Sequence, residues 1–331
     1  MRTVLGPRSA PDYPRRMRHA TSVPRRAWWL LGALLATAPS LRAAEPPTTG
    51  TLTAGRFRLG YRIEGTGPTA LVIGSSVYYP RVFSQDLRTH LRLVFLDHRG
   101  FTATPAGPVD RTEFAMDTLL EDVERARQEL KLGRVIVIGH SGHAYMALEY
   151  AKKYKAHVSH VVLIGIAPDL SAASHREAER YWEESVWPER KAALAENVRR
   201  LPDEEIAKLP STPRFVRGYV RDGPRAWYDP RFDSTPLWEG VEVNMDMFDY
   251  VWGELFRDID ITRGLEALDR PVLVALGRFD FLVAPPSSWD RVRPKFRDVT
   301  VRVFERSGHT PQHDEAAAFD AELLRWLKER P

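Results

Sequence analysis

The chain has 331 residues, with 48 Lys and Arg against 44 Asp and Glu and a formal charge of +4. Eight of those bases (Arg2, Arg8, Arg15, Arg16, Arg18, Arg25, Arg26, Arg42) fall in residues 1–43 beside one acid, Asp12, so residues 44–331 carry about −3. That remainder has no basic run, which removes the basis for nucleic-acid binding. The absence of cysteine excludes a disulfide framework, a thiolate nucleophile, a thiolate zinc site and a lipidated cysteine.

In chain order the first element is a leader. Arg25-Arg26 closes a basic stretch, an apolar run follows from Ala27 to Ala38, and small residues stand at Ala38, Ser40, Ala43 and Ala44. This is the layout of an export signal and predicts a periplasmic or secreted protein. The apolar run is shorter than the roughly 20 residues of a membrane-spanning helix, so no permanent membrane anchor is expected. Met17 offers an alternative start, and Arg25-Arg26 leaves general and twin-arginine export both open. An uncleaved amphipathic arm is the competing reading. Glu45–Gly50 reads as a short tether.

A hairpin is predicted from Thr51–Thr53 and Phe57–Glu64, turning at Ala54-Gly55. Apolar runs then recur at Ala70–Ile73, Leu91–Leu96, Val135–Ile138, Val161–Ile166, Val272–Leu276 and Val301–Phe304, as strands buried on both faces do. Helical patterns lie between them. Asp110 and Glu113 are placed to cap a helix with Met116, Leu119, Leu120, Val123 and Leu130 on one face. Gly142–Tyr154 and Glu315–Leu327 are predicted helices too, the latter with Phe319, Leu323 and Trp326 on one stripe. Strands alternating with helices imply a mainly parallel α/β sheet. From about Pro168 to Gly264 the alternation stops, and five of the nine tryptophans (Trp182, Trp187, Trp227, Trp238, Trp252) fall in that interval. The expected organisation is an export signal (1–43), two parts of one core (44–168 and 265–331) and a helical cap between them (169–264).

The strongest local signal is Val135–Ile138 followed by Gly139-His140-Ser141-Gly142-His143 and a helix. A serine at the apex of a sharp strand-to-helix turn is the context of a nucleophile elbow, and the helix start behind it offers unpaired N–H groups. Read alone, this stretch is equally a serine capping a helix. It is joined by Arg278-Phe279-Asp280 after one strand and Ser307-Gly308-His309 after the next. Serine, acid and histidine thus follow in that order, each at the C-terminal end of a predicted parallel strand, where sites in open α/β sheets assemble.

On these loops, and on the Asp97-His98-Arg99-Gly100 turn, residues 51–330 resemble the α/β-hydrolase fold superfamily. The helical insertion makes them most similar to its proline-iminopeptidase-like and related capped hydrolases. The resemblance implies an α/β-hydrolase fold: a mostly parallel central sheet flanked by helices, with a helical cap inserted between the strand ending near Ala167 and the strand at Pro271. It implies Ser141 as nucleophile, His309 as general base and then acid, and Asp280 as the group that orients His309. Backbone amides of Gly142 and Ser75 are the expected oxyanion donors, with Ser76 next in line. Two departures stand out. His143 occupies the place of the usual elbow glycine, where it must find room or turn towards the pocket. Ile73-Gly74 replaces the familiar His-Gly before the oxyanion loop.

The expected activity is hydrolysis of a small ester or amide, on a small-molecule or short peptide substrate, through an acyl-enzyme. An aminopeptidase of the proline-iminopeptidase type and a non-catalytic ligand-binding protein are the alternatives. No cofactor is implied. His140 with His143, and His157 with His160, stand three apart without a carboxylate at suitable spacing, so no metal is expected. The Asp97–Gly100 turn is read as stabilised by a salt bridge. The cap tryptophans are read as packing before pocket lining, and Glu183 and Glu184 as solvated helix acids. Oligomeric state leaves no mark on the sequence.

Overall fold

The computed structural model describes residues 48–108 and 110–331. The expected leader, residues 1–43, and the first half of the tether lie outside the described residues, whereas the other half, Thr48–Gly50, is strand and not tether. Eight strands form one sheet: β1 (Thr48–Ala54), β2 (Phe57–Glu64), β3 (Thr69–Gly74), β4 (Arg92–Asp97), β5 (Val135–His140), β6 (Val158–Ile164), β7 (Val272–Gly277) and β8 (Val299–Phe304). Their order across the sheet is β1-β2-β4-β3-β5-β6-β7-β8. β1 and β2 pair antiparallel, as do β2 and β4. All remaining neighbours are parallel.

The sheet sorts its side chains by the two-residue period of a strand. Leu71, Ile73, Val135, Val137, Val161, Leu163, Val272 and Val274 enter one core. Their neighbours Ala70, Val72, Ile136, Ile138, Val162, Ile164, Leu273 and Ala275 enter the other. The helices Met116–Glu129 and His143–Lys153 cover the first face, through Leu119, Leu120, Val123, Tyr145 and Met146. The helix Ala316–Glu329 covers the second with Phe319, Leu323 and Trp326, the stripe its sequence pattern predicts.

Between β6 and β7 the chain is helical. Its main helices are Ala172–Ser185, Pro188–Arg200, Ser211–Arg221 and Met245–Tyr250. Of its tryptophans, Trp182 and Trp227 are packed inside, and Trp187 is 46% exposed. Trp238 and Trp252 line the cavity described below. Packing and pocket lining are thus divided among them. Glu183 is exposed and paired with Lys191. Among the described residues no helix is long and apolar enough to cross a membrane.

Three local expectations shift. β6 stops at Ile164 and not Ile166, because Gly165 takes a left-handed φ of +58°. The helix expected from Asp110 breaks into a 3-10 turn, Arg111–Phe114, and an α-helix from Met116, with Ala115 extended between them. Glu113 cannot close a capping box there, because its carboxylate is held by Arg56 at 2.7–3.2 Å. In the Asp97–Gly100 turn, Arg99 pairs with buried Asp122 on the neighbouring helix at 2.6 and 2.9 Å. Asp97 accepts from two backbone amides and joins no salt bridge of the turn.

Candidate active site

The parallel strands β3 to β8 end along one edge of the sheet, and every residue of the expected site lies there. Ser141 follows β5 directly. Its φ is +58°, a left-handed value that few residues other than glycine adopt. Its amide donates to the Ile164 carbonyl at 2.8 Å, and its own carbonyl accepts from Ala144 N–H at 2.8 Å. The turn is thereby tied to β6 on one side and to the start of helix His143–Lys153 on the other. Gly139 makes the tight bend possible, since a Cβ there would fall 2.2 Å from the His143 carbonyl oxygen.

His309 sits in the loop after β8, and Asp280 in the loop after β7. His309 Nδ1 lies 2.8 Å from Asp280 Oδ2. Both side chains are buried. The other carboxylate oxygen of Asp280 accepts from Leu282 N–H at 3.1 Å. A proton on His309 Nδ1, donated to Asp280, leaves Nε2 as the free acceptor of the ring. The two loops touch at Gly277, where a Cβ would meet the Gly308 carbonyl at 1.8 Å. The insertion also holds the His309 loop: His309 N–H donates to the Ala226 carbonyl at 2.6 Å.

Ser75 is buried beyond β3, and its hydroxyl accepts from the amides of Val77 and Tyr78 at 3.2 and 3.1 Å. The Ser76 amide donates to Asp97 Oδ1 at 2.5 Å, so it is already committed. Burial pushes the Asp97 carboxyl up to about 7 against the lowering pull of the Ser76 and Gly60 amides. Among the described residues, neither the Ser75 nor the Gly142 amide donates to a protein acceptor. Gly142 packs beneath Trp252, whose ring a Cβ would meet at 2.5 Å.

Ser141 and His309 open on one cavity of about 330 Å³. Among the described residues the side-chain hydrogen bond of His309 is the one to Asp280, and a bond between base and nucleophile often tightens only as substrate binds. The cavity wall is aromatic, built from Tyr78, Tyr79 and Phe101 of the core and Phe215, Tyr219, Trp238, Phe248 and Trp252 of the insertion. His143, in the elbow's glycine position, turns into this wall. Its ring is buried between Tyr79, His98 and Trp252. Burial lowers its pKa to about 4 and holds those of His98 and His140 well below the usual range.

The sequence pattern did not point to Tyr79, Ala226 or Gly165, and it read Trp252, with the other cap tryptophans, as packing before pocket lining. Only a histidine where glycine is usual signalled that something must pack there. The arrangement presents a hydroxyl and a carboxylate-backed imidazole to one largely apolar space. Those are the parts of nucleophilic acyl transfer.

A family model described as alpha/beta hydrolase fold matches residues 68–316. The chain belongs to that family. It is 43% identical to the AB hydrolase superfamily protein YclE of Bacillus subtilis, across 82% of this chain and 95% of that protein. A proline iminopeptidase of Pestalotiopsis fici is 25% identical over 76% of this chain and 90% of its own length. Among solved structures, a proline iminopeptidase-related protein of Thermus thermophilus superposes with a TM-score of 0.63 at 21% identity, covering 86% of this chain and 99% of that one. That likeness speaks for the fold alone.

Proposed function

We propose that the protein is a serine hydrolase that cleaves a small, uncharged ester or amide through an acyl-enzyme on Ser141. His309 takes the Ser141 proton as the hydroxyl oxygen attacks the carbonyl carbon, and Asp280 stabilises the imidazolium that forms. The amides of Gly142 and Ser75 receive the oxyanion. His309 then protonates the leaving group, and a water activated by the same ring releases the acid. The observation that carries this reading is a serine in a left-handed turn sharing one cavity with a buried Asp280–His309 pair.

A fluorophosphonate probe tests it. Labelling of the wild type that disappears in Ser141→Ala supports the nucleophile, and an inert wild type sinks it in favour of a binding protein. The relatives named as proline iminopeptidases keep an aminopeptidase reading in view. That activity needs an anionic anchor for the substrate amine. The carboxylate on the cavity wall, Asp249, is already paired with Arg214 at 2.7 Å, which favours uncharged substrates. Turnover of p-nitrophenyl esters in preference to aminoacyl anilides is expected, and the reverse preference would reassign the substrate. Export remains a proposal from residues 1–43. Sequencing the N-terminus of the protein recovered outside the cytoplasm tests it, with cleavage near Ala43 expected.

A further inference from the structure

The three buried histidines around the elbow make a chain of hydrogen bonds whose proton positions the geometry dictates. Gly100 N–H donates to His98 Nδ1 at 2.8 Å, so the His98 proton is on Nε2. That nitrogen lies 2.6 Å from His143 Nε2, which must then accept. The His143 proton is therefore on Nδ1, 2.9 Å from the His140 carbonyl and 3.0 Å from the Tyr79 oxygen. Tyr79 is left to donate its own proton to His140 Nδ1 at 3.2 Å. His140 in turn carries its proton on Nε2 and gives it to the His309 carbonyl at 2.9 Å. One end of the chain is a group that can only donate, the other a group that can only accept. Every intermediate assignment follows from them.

The far end of this chain is the backbone of His309. Its carbonyl is packed against Gly165, where a Cβ would fall 2.4 Å from the oxygen, and its N–H is held by Ala226. The peptide groups on both sides of His309 are thus pinned, one by the insertion and one by His140.

We propose that His143, Tyr79 and His140 are positioning residues: a proton-ordered chain, running from the Gly100 amide to the His309 carbonyl, that keeps His309 seated at the Ser141 cavity. This rests on reading His309 as the general base. A histidine in the elbow's glycine position is the middle link, because only a side chain with a donor and an acceptor on opposite edges joins His98 to His140.

Two measurements on the full chain test it. Nitrogen-15 histidine spectra near neutral pH are expected to show His98 and His140 as Nε2–H tautomers and His143 as the Nδ1–H tautomer, all neutral. His143 found as Nε2–H, or any of the three charged, overturns the chain. Tyr79→Phe removes a single oxygen and is expected to lower kcat about tenfold to a hundredfold with KM changed little. Adding Tyr79→Phe to His140→Ala is expected to lower kcat no further than His140→Ala does alone. His140→Gln, which restores a donor amide, is expected to recover activity relative to His140→Ala. An unaltered kcat in Tyr79→Phe, or losses that simply add, overturns the positioning role while leaving the hydrolase reading intact. A wild type inert to the fluorophosphonate fails the hydrolase reading itself, and the tautomer spectra are read independently of it.

Discussion

Ser141 holds a backbone conformation that an unstrained serine avoids, and two hydrogen bonds to flanking elements keep it there. Ser141→Ala removes the proposed nucleophile without changing the turn, and kcat is expected to fall by about a thousandfold or more with the melting temperature held. Asp280→Asn would leave a bond of the same length to His309 but invite the wrong tautomer. We expect a loss of kcat of about a thousandfold to ten-thousandfold, with ester binding largely retained. Gly165→Ala would press a methyl group against the His309 carbonyl, from a φ that disfavours any side chain. The expected cost is about 1–3 kcal/mol in chemical denaturation. The positions of these residues are partly legible in the sequence. Ser141, Asp280 and His309 each follow an apolar run that ends in a turn, so local pattern located them. The pattern ranks Ser75 ahead of Ser76 as a donor, and the Ser76 amide is in fact occupied by the Asp97 carboxylate.

At the level of elements, the turn after β4 shows how far a local reading carries. Asp97, His98, Arg99 and Gly100 invite an internal salt bridge, because acid and base stand two apart. In the fold, β4 ends inside the molecule and each side chain goes to a different neighbour. Asp97 holds Gly60 within β2 and the loop beyond β3, His98 reaches the elbow, and Arg99 crosses to Asp122 while lying over the Phe57 ring at 4.8 Å. The Arg99–Asp122 pair is buried on both sides. Arg99→Met would leave an uncompensated buried carboxylate and is expected to destabilise the fold by about 3–5 kcal/mol, measured by urea unfolding. The double variant Arg99→Met/Asp122→Leu is expected to recover most of that loss, since both charges are then gone. The strand boundaries moved by small amounts for similarly local reasons. Gly165 ended β6 early through its backbone angle, a property that the residue type permits but does not require.

For the whole molecule, the buried histidines set the acid response. His98, His140 and His143 all have pKa values lowered by burial, so the folded protein keeps them neutral while the unfolded chain takes up protons first. Their contribution is full above about pH 6.5, the ordinary histidine value, and is lost as pH falls. For His143 the loss extends down to about 4 and runs at up to about 1.4 kcal/mol per pH unit between those limits. Asp97 works in the opposite sense. Its folded value is raised to about 7, so its contribution is present at low pH and fades as pH rises through 7. His160 is lowered as well, and burial raises Asp122 and Asp320 as it does Asp97. With four histidines against three carboxyls, unfolding free energy is expected to decrease from pH 6.5 to 4. Urea titrations across that range check it, and a flat profile would mean that the rings are not neutral in the folded state.

Local pattern along the chain carries the alternation of strand and helix, the interruption from about Pro168 to Gly264, and the three loops that bear serine, acid and histidine. Those features are written in hydrophobic period and turn chemistry, which act over a few residues and so can be read along the chain. Tertiary structure decided what the loops meet. It brought Ala226 of the insertion onto the His309 amide, set Trp252 over Gly142, and strung Tyr79 and three histidines into one chain of hydrogen bonds. Such contacts join residues up to 169 positions apart. They depend on strand order and on which face each side chain takes, and no local pattern encodes either.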